Sequence, residues 1–224
     1  MKKVFVLGIA ILSVFSVHAQ TDSLKATHYF GIQANQLVRQ LLNFGGSSPT
    51  VQNPYLVSYS FNKENGWGMG VGLGSRLNHF EDGDEFANQE TKINEFFLRI
   101  GVDNKTDLGK NWLLGWGIDV VFEATKNETT SKNDFNGSSQ ETYTRNKVTG
   151  FGFGPRLNLF YSFGEHLGLG TEASYYYKHQ NVNNIIESKS SGGGGSFSNE
   201  EEFDRSNNSF QLILPSVIYL TFRF

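Results

Sequence analysis

From Trp67 to Gly74 the chain reads Trp-Gly-Met-Gly-Val-Gly-Leu-Gly, an unbroken alternation of large apolar side chains with glycine. Side chains two apart share one face of a β-strand, so this run has an oily face and an empty one. Asn111 to Ala124 repeats the pattern: Trp112, Leu114, Trp116, Ile118, Val120 and Phe122 face one way, with Leu113, Gly115, Gly117, Asp119, Val121 and Glu123 opposite. A third face runs through Phe151, Phe153, Pro155, Leu157, Leu159, Tyr161 and Phe163, backed by Gly150, Gly152, Gly154, Arg156, Asn158 and Ser162. Helical periodicity fits none of these. The chain is built of long strands.

Eight such segments occur, at about 28–42, 54–62, 67–79, 92–103, 111–124, 147–163, 167–179 and 208–224. In the first, Phe30, Ile32 and Ala34 share a face while Leu37 and Leu41 fall on the other, which points to a bulge. Residues 63–66 and 164–166 are tight turns and 104–110 a modest one, whereas 43–53, 80–91, 125–146 and 180–207 are long and polar. Short and long connections therefore alternate, which puts every long loop at one end of an antiparallel up-and-down sheet. An even strand number leaves both termini at the short-turn end. The expected fold is all-β: an eight-stranded antiparallel up-and-down barrel.

Soluble and membrane barrels both alternate, with opposite sign. A soluble barrel turns its oily face inward, and a membrane barrel turns it out to lipid. Eight strands leave an interior just wide enough for side chains, too small for this many Trp, Phe, Tyr and Leu residues. The glycine face is then the inside. It also carries five basic residues (Arg76, Arg99, Arg156, Lys178, Arg223) and four acidic ones (Glu95, Asp119, Glu123, Glu172). Charges buried in a lumen persist when paired or hydrated, so a charge network filling the interior is expected. The expected fold is thus a transmembrane β-barrel with long extracellular loops.

The first residues agree with export. Met1-Lys2-Lys3 precede an apolar run from Val4 to Val17 and a small residue, Ala19, before Gln20. A positive start, an apolar centre of about 14 residues and a small residue at the cut describe a secretory signal peptide. Residues 1–19 are thus expected to be cleaved, leaving 20–224 as a single barrel domain in the cell outer membrane. With no cysteine, the chain has no disulfide framework, thiolate metal site or cysteine nucleophile. Its 19 basic and 22 acidic residues argue against a nucleic-acid partner.

Aromatic residues cluster near strand ends: Trp67, Trp112 and Phe163 by short turns, and Tyr55, Phe80, Phe122, Tyr177 and Phe210 by long loops. Such rings favour the membrane–water interface and give two girdles. The chain ends Ile218-Tyr219-Leu220-Thr221-Phe222-Arg223-Phe224. Together with the signal peptide and the eight strands, it resembles the small outer-membrane barrels of Gram-negative bacteria, of the OmpX-like and OmpA transmembrane-domain type, over about residues 28–224. In that family the terminal strand is recognised by the barrel-assembly machinery, which implies that role for Leu220, Phe222 and Phe224. No peptidoglycan-binding domain follows Phe224, so a cell-wall anchor is not expected.

Some eight-stranded outer-membrane barrels modify lipid A with a His, a Ser and an acid near the outer rim. His79 and His179 fall at long-loop strand ends near Glu81, Asp82, Asp84 and Glu85. The deacylase-type His-x-Ser is absent at both, because Phe80-Glu81 and Gln180-Asn181 follow them. His28 and His166 lie at the opposite end. No catalytic residue is assigned. The glycine runs at 68–74 and 150–154 lie inside strands and serve packing, since a dinucleotide fingerprint needs a turn between strand and helix. The acidic groups Glu81-Asp82-Gly83-Asp84-Glu85 and Glu200-Glu201-Glu202-Phe203-Asp204 do not match an EF-hand spacing, and no metal or cofactor is expected. Ser188 to Ser198, with Gly192 to Gly195, is expected to be a flexible tether. The expected function is non-enzymatic: a structural or accessory subunit of an outer-membrane assembly, or a surface binder acting through loops. Expected partners are outer-membrane lipid and lipopolysaccharide, the assembly machinery and another outer-membrane protein. A small-solute channel and a lipid A-modifying enzyme are the alternatives.

Overall fold

A computed structural model describes residues 26–34, 54–84, 86–135, 138–192, 195–215 and 217–224. The expected signal peptide, residues 35–42 of the first segment and the 43–53 connection lie outside them. The elements are β1 (Ala26–Gln33), β2 (Val57–Lys63), β3 (Trp67–Gly83), β4 (Ala87–Gly109), β5 (Trp112–Phe135), β6 (Ser138–Ser162), β7 (Leu167–Gly192), β8 (Gly195–Ile213) and β9 (Tyr219–Arg223). Every pairing is antiparallel and joins sequence neighbours from β1 to β8, while β9 bridges β7 and β1. The ladder thereby closes into a ring of eight staves.

Nine strands make eight staves because the last stave is broken. β8 and β9 both lie along β7, in registers that differ by two residues: Ser174 faces Ile213 and Gly170 faces Tyr219. The stretch between Ile213 and Tyr219 is thus two residues longer than the stretch between Gly170 and Ser174 that it spans. Pro215 lies in this excess and has no N–H to donate, which is where a ladder is expected to break. Thr171 Oγ1 donates to the Val217 carbonyl at 2.8 Å and stitches the bulge closed, with Val217 fully buried. Beyond it β9 swings to β1. The seam finishes with His28 N donating to Phe224 O (2.8 Å) and Phe224 N to His28 O (3.0 Å).

The long connections at 80–91 and 180–207 are not loops, and 125–146, whose Thr-, Asn-, Lys- and Ser-rich composition fits a hairpin extended beyond the band, is such a hairpin. The β3–β4 ladder continues to Gly83 opposite Asn88, β5–β6 to Phe135 opposite Ser138, and β7–β8 to Gly192 opposite Gly195. Ser188–Gly192 and Gly195–Ser198 are strand, so the expected flexible tether is corrected as well. In these stretches both faces are polar, so no hydrophobic alternation marks them, yet a Thr-, Asn- and Ser-rich ladder still satisfies its backbone across the hairpin. Among the described residues, β3 to β8 rise above the ring as one tall six-stranded sheet.

The two faces differ sharply. Register aligns Val71, Ile100, Val120, Phe153, Tyr177 and Phe210 in one row across six strands on the outside. Ile118 and Phe153 are 57% and 55% exposed. One residue along, the inside row holds Gly72, Arg99, Val121, Gly152 and Lys178. At the level of the ring the interior is largely polar, around a small apolar cluster of Tyr55, Val121, Tyr176 and Ile213, and the outer face is apolar.

Candidate functional site: the interior charge network and the outward face

The buried charges Arg99, Asp103, Asp119, Arg156 and Lys178 each sit beside glycine on a neighbouring strand, whereas Glu172 faces Asn158. Asp119 lies between Gly101 and Gly154, Asp103 between Gly68 and Gly117, and Arg99 beside Gly72. A Cβ at Gly101 would collide with the Asp119 carboxylate, and one at Gly117 with the Asp103 side chain. The alternating glycines therefore make the room in which the charges lie flat against the wall.

The centre of the network is Arg99, 3% exposed, and Asp119, wholly buried. Arg99 grips Glu172 with two prongs, Nη1–Oε1 2.7 Å and Nη2–Oε2 3.0 Å, and lies 3.7 Å from Asp119. Arg156 Nε donates to Asp119 at 2.8 Å, with Asp103 at 3.7 Å. Tyr176 Oη donates to the same Asp119 oxygen at 2.8 Å, and Tyr219 Oη to the Tyr55 carbonyl at 2.9 Å. The Arg99 guanidinium also lies 4.4 Å from the Tyr55 ring centroid. Paired, charge-assisted hydrogen bonds of this kind are what ions removed from water require.

Of the nine interior charges expected from the sequence, Arg99, Asp119, Arg156 and Glu172 form this cluster. Lys178 and Glu123 make a separate pair at 2.5 Å, joined by Gln180. Arg76 and Glu95 pair with each other at 2.7 Å on both prongs, with Arg76 half exposed above the closed ring. Arg223 points inward at the lower end and has no carboxylate within 4 Å among the described residues; its carbonyl lies 3.0 Å from His166 Nδ1. Leu220 and Phe222, on β9, face outward on the seam with Phe224 beyond them, and the Phe224 ring stacks on His28 at 5.5 Å.

Sequence reasoning missed Asp103 and Lys105. Both share the inward parity of Glu95 and Arg99, but the modest turn was placed at 104–110. Lys105 Nζ instead reaches inward to Ser60 Oγ (2.6 Å) and Asn62 Oδ1 (2.5 Å). It borders a cavity of about 80 Å3 that adjoins the cluster, lined also by Arg99, Arg156, Glu172 and Tyr219. That volume has room for a few waters. Tyr55 was expected in an aromatic girdle and is instead buried inside, 3% exposed, because its ring supports Arg99. Phe80 shares the inward parity of Arg76 and sits exposed in the tall sheet, above the girdle level. Trp67 against Trp116 (5.3 Å) and Trp112 against Tyr161 (4.8 Å) do gather at the short-turn end, and Phe153, Tyr177 and Phe210 higher up.

His79 and His179 are separated by β4, β5 and β6. His79 Nε2 lies 2.9 Å from Glu90 and 3.3 Å from Glu81, a trio whose ligand atoms fall within 4.8 Å of one another and have the donor chemistry for a divalent cation. Lys92 Nζ already neutralises Glu90 at 2.5 Å, and it holds the Glu90 carboxyl below the usual carboxylate range. His179 Nδ1 lies 2.8 Å from Asn208 Oδ1.

No family model matches this chain. No curated protein matches it either. Among solved structures it aligns with LpxR from Salmonella typhimurium at 10% identity, over 89% of this chain and 99% of that one, with a TM-score of 0.21. A porin aligns at 9% identity over 89% and 99%, with a TM-score of 0.14. Likenesses this slight carry no argument about fold or chemistry.

Proposed function

We propose that this chain is a transmembrane barrel of the OmpX-like kind in a bacterial outer membrane, non-enzymatic, and that it acts through the tall sheet above its apolar band. The observation that carries this reading is the inverted polarity of the ring: buried Arg99, Asp119, Arg156 and Glu172 inside, exposed Trp, Phe, Ile and Val outside. On a soluble protein an apolar band around the whole surface far exceeds the few hundred Å2 normally tolerated. Its height fits a bilayer. Trp112 to Ala124 is twelve steps of about 3.3 Å, and a tilt of about 45° gives about 28 Å against a hydrocarbon core of about 30 Å. Among the described residues the ladder from β1 round to β7 and back through β9 leaves no open edge in the lower ring, as hydrocarbon requires.

The Arg99–Glu172–Asp119–Arg156 cluster spans the interior and supports a plug rather than a solute path. Above the band β5 and β6 run on to Phe135 and Ser138, presenting a broad polar sheet outside the membrane. A rigid scaffold bearing such a sheet suits an accessory subunit or a surface binder, with the tall sheet as the contact. The test is gentle extraction from the native outer membrane, with native mass and identification of whatever co-migrates. We expect a stoichiometric companion that is lost when residues 127–144 are deleted. Stepwise conductance in planar bilayers, or a changed lipid A profile on deleting the protein, would overturn the reading.

A further inference from the structure

An apolar groove of about 340 Å3 lies on the outside between β3, β4, β5 and β6, where the oily band gives way to the polar sheet. Leu77, Phe96 and Ala124 form its floor, and Lys126 and Lys147 stand at its upper end. These two lysines face each other directly in the β5–β6 register, on the lipid-side parity of Phe122 and Phe151. Like charges placed opposite one another in a sheet repel. Arg145 stands two residues further up on the same face, and its Nε is buried without a hydrogen-bond partner. Lys147 has no ion-pair partner among the described residues. Against these three cations stand Glu128, 2.8 Å from Lys126 and bonded to Tyr143 Oη, and Asp204, which accepts from Asn183 at 2.9 Å. Glu95 borders the groove but has inward parity, and Arg76 holds it. The lysine pair keeps a positive excess directly above an apolar slot.

We infer that this face is a built site for one anionic, phosphate-bearing lipid, with the phosphate between Lys126, Lys147 and Arg145 and an acyl chain along Leu77, Phe96 and Ala124. The charge is complementary, and the slot is continuous with the apolar band. A phosphate between the lysines turns their repulsion into two charge-assisted contacts. This inference rests on the membrane reading above and adds a headgroup and a place.

The test uses the full chain in vesicles of equal phosphatidylglycerol and phosphatidylcholine, followed by mild extraction and native mass spectrometry of retained lipid. We expect phosphatidylglycerol to be retained over phosphatidylcholine by about tenfold, the scale of one to two lysine–phosphate contacts. Lys126→Gln with Lys147→Gln should abolish the preference. Ala124→Trp, which keeps the charges and fills the slot, should abolish it too, separating a built site from general attraction. Equal retention of both lipids by the natural chain, or an unchanged preference in either variant, would overturn the site. Binding of inorganic phosphate without lipid preference would also overturn it, in favour of a free-anion site. Flotation with the vesicles is read in every sample. A protein that floats without lipid preference refutes only the site, and one that fails to float refutes the membrane reading.

Discussion

Arg99 and Glu172 meet across the interior from strands three places apart in the ring, through a two-pronged contact of 2.7 and 3.0 Å. Neither is near the other in sequence, and Arg99 needs the space beside Gly72 to lie flat. Removing one partner leaves a buried charge uncompensated, which costs about 3–5 kcal/mol. Glu172→Gln should therefore destabilise strongly, and Arg99→Met with Glu172→Leu should cost less than the single change. Urea unfolding in vesicles, followed by tryptophan fluorescence, reads both.

Gly154 is a packing glycine beside Asp119. A Cβ there would run into the Tyr175 carbonyl oxygen, whereas at Gly164 it would meet nothing. Gly154→Ala should cost about 1–3 kcal/mol as an overpacked site. Gly164→Ala should be near neutral in the same unfolding assay.

Charge on the outer face should cost by height. Val120→Arg, at mid-band, should destabilise by about 2–4 kcal/mol in a bilayer. Thr130→Arg, on the same face six residues beyond Ala124, should be within about 0.5 kcal/mol of neutral. A soluble protein would show no such gradient.

The β3–β4 hairpin tip should loosen in acid. The backbone N–H groups of Phe86 and Ala87 each donate to Asp84 Oδ1 at 2.9 Å and hold its carboxyl below the ordinary value of 3.8. A lowered folded value means the stabilisation is complete above the ordinary value and is lost as pH falls through the lowered one. Hydrogen exchange at Phe86 and Ala87 should be slow at neutral pH and accelerate, relative to neighbouring amides, only in strong acid. Asp84→Asn should weaken the pH dependence.

The ring was legible because hydrophobic alternation writes it directly. Trp67–Gly74 and Trp112–Phe122 show which face is oily, and the glycines mark where charges need room. The composition of 125–146 fits a hairpin, but the rest of the tall sheet was hidden because 80–91 and 180–207 are mostly polar and their few apolar residues keep no period that betrays a ladder. The break at Pro215 was hidden for another reason: the alternation on both sides of it is intact, and the two-residue shift exists only against β7. Tyr55 reads as a girdle residue from its place beside a long connection, and its inward turn shows only in the fold, whereas Tyr176 and Tyr219 share the parity of Lys178 and Thr221, which already turns them inward. The lysine pair at 126 and 147 depends on the β5–β6 register, which the sequence does not spell out.

The account rests on lipid touching the outward row. Because the chain has no cysteine, single cysteines at Val120, Phe153 and Thr130 carry spin labels cleanly. In vesicles, the account predicts that labels at 120 and 153 are reached by oxygen and shielded from a water-soluble nickel chelate, with the reverse at 130. Equal exposure of all three to the nickel chelate would contradict it.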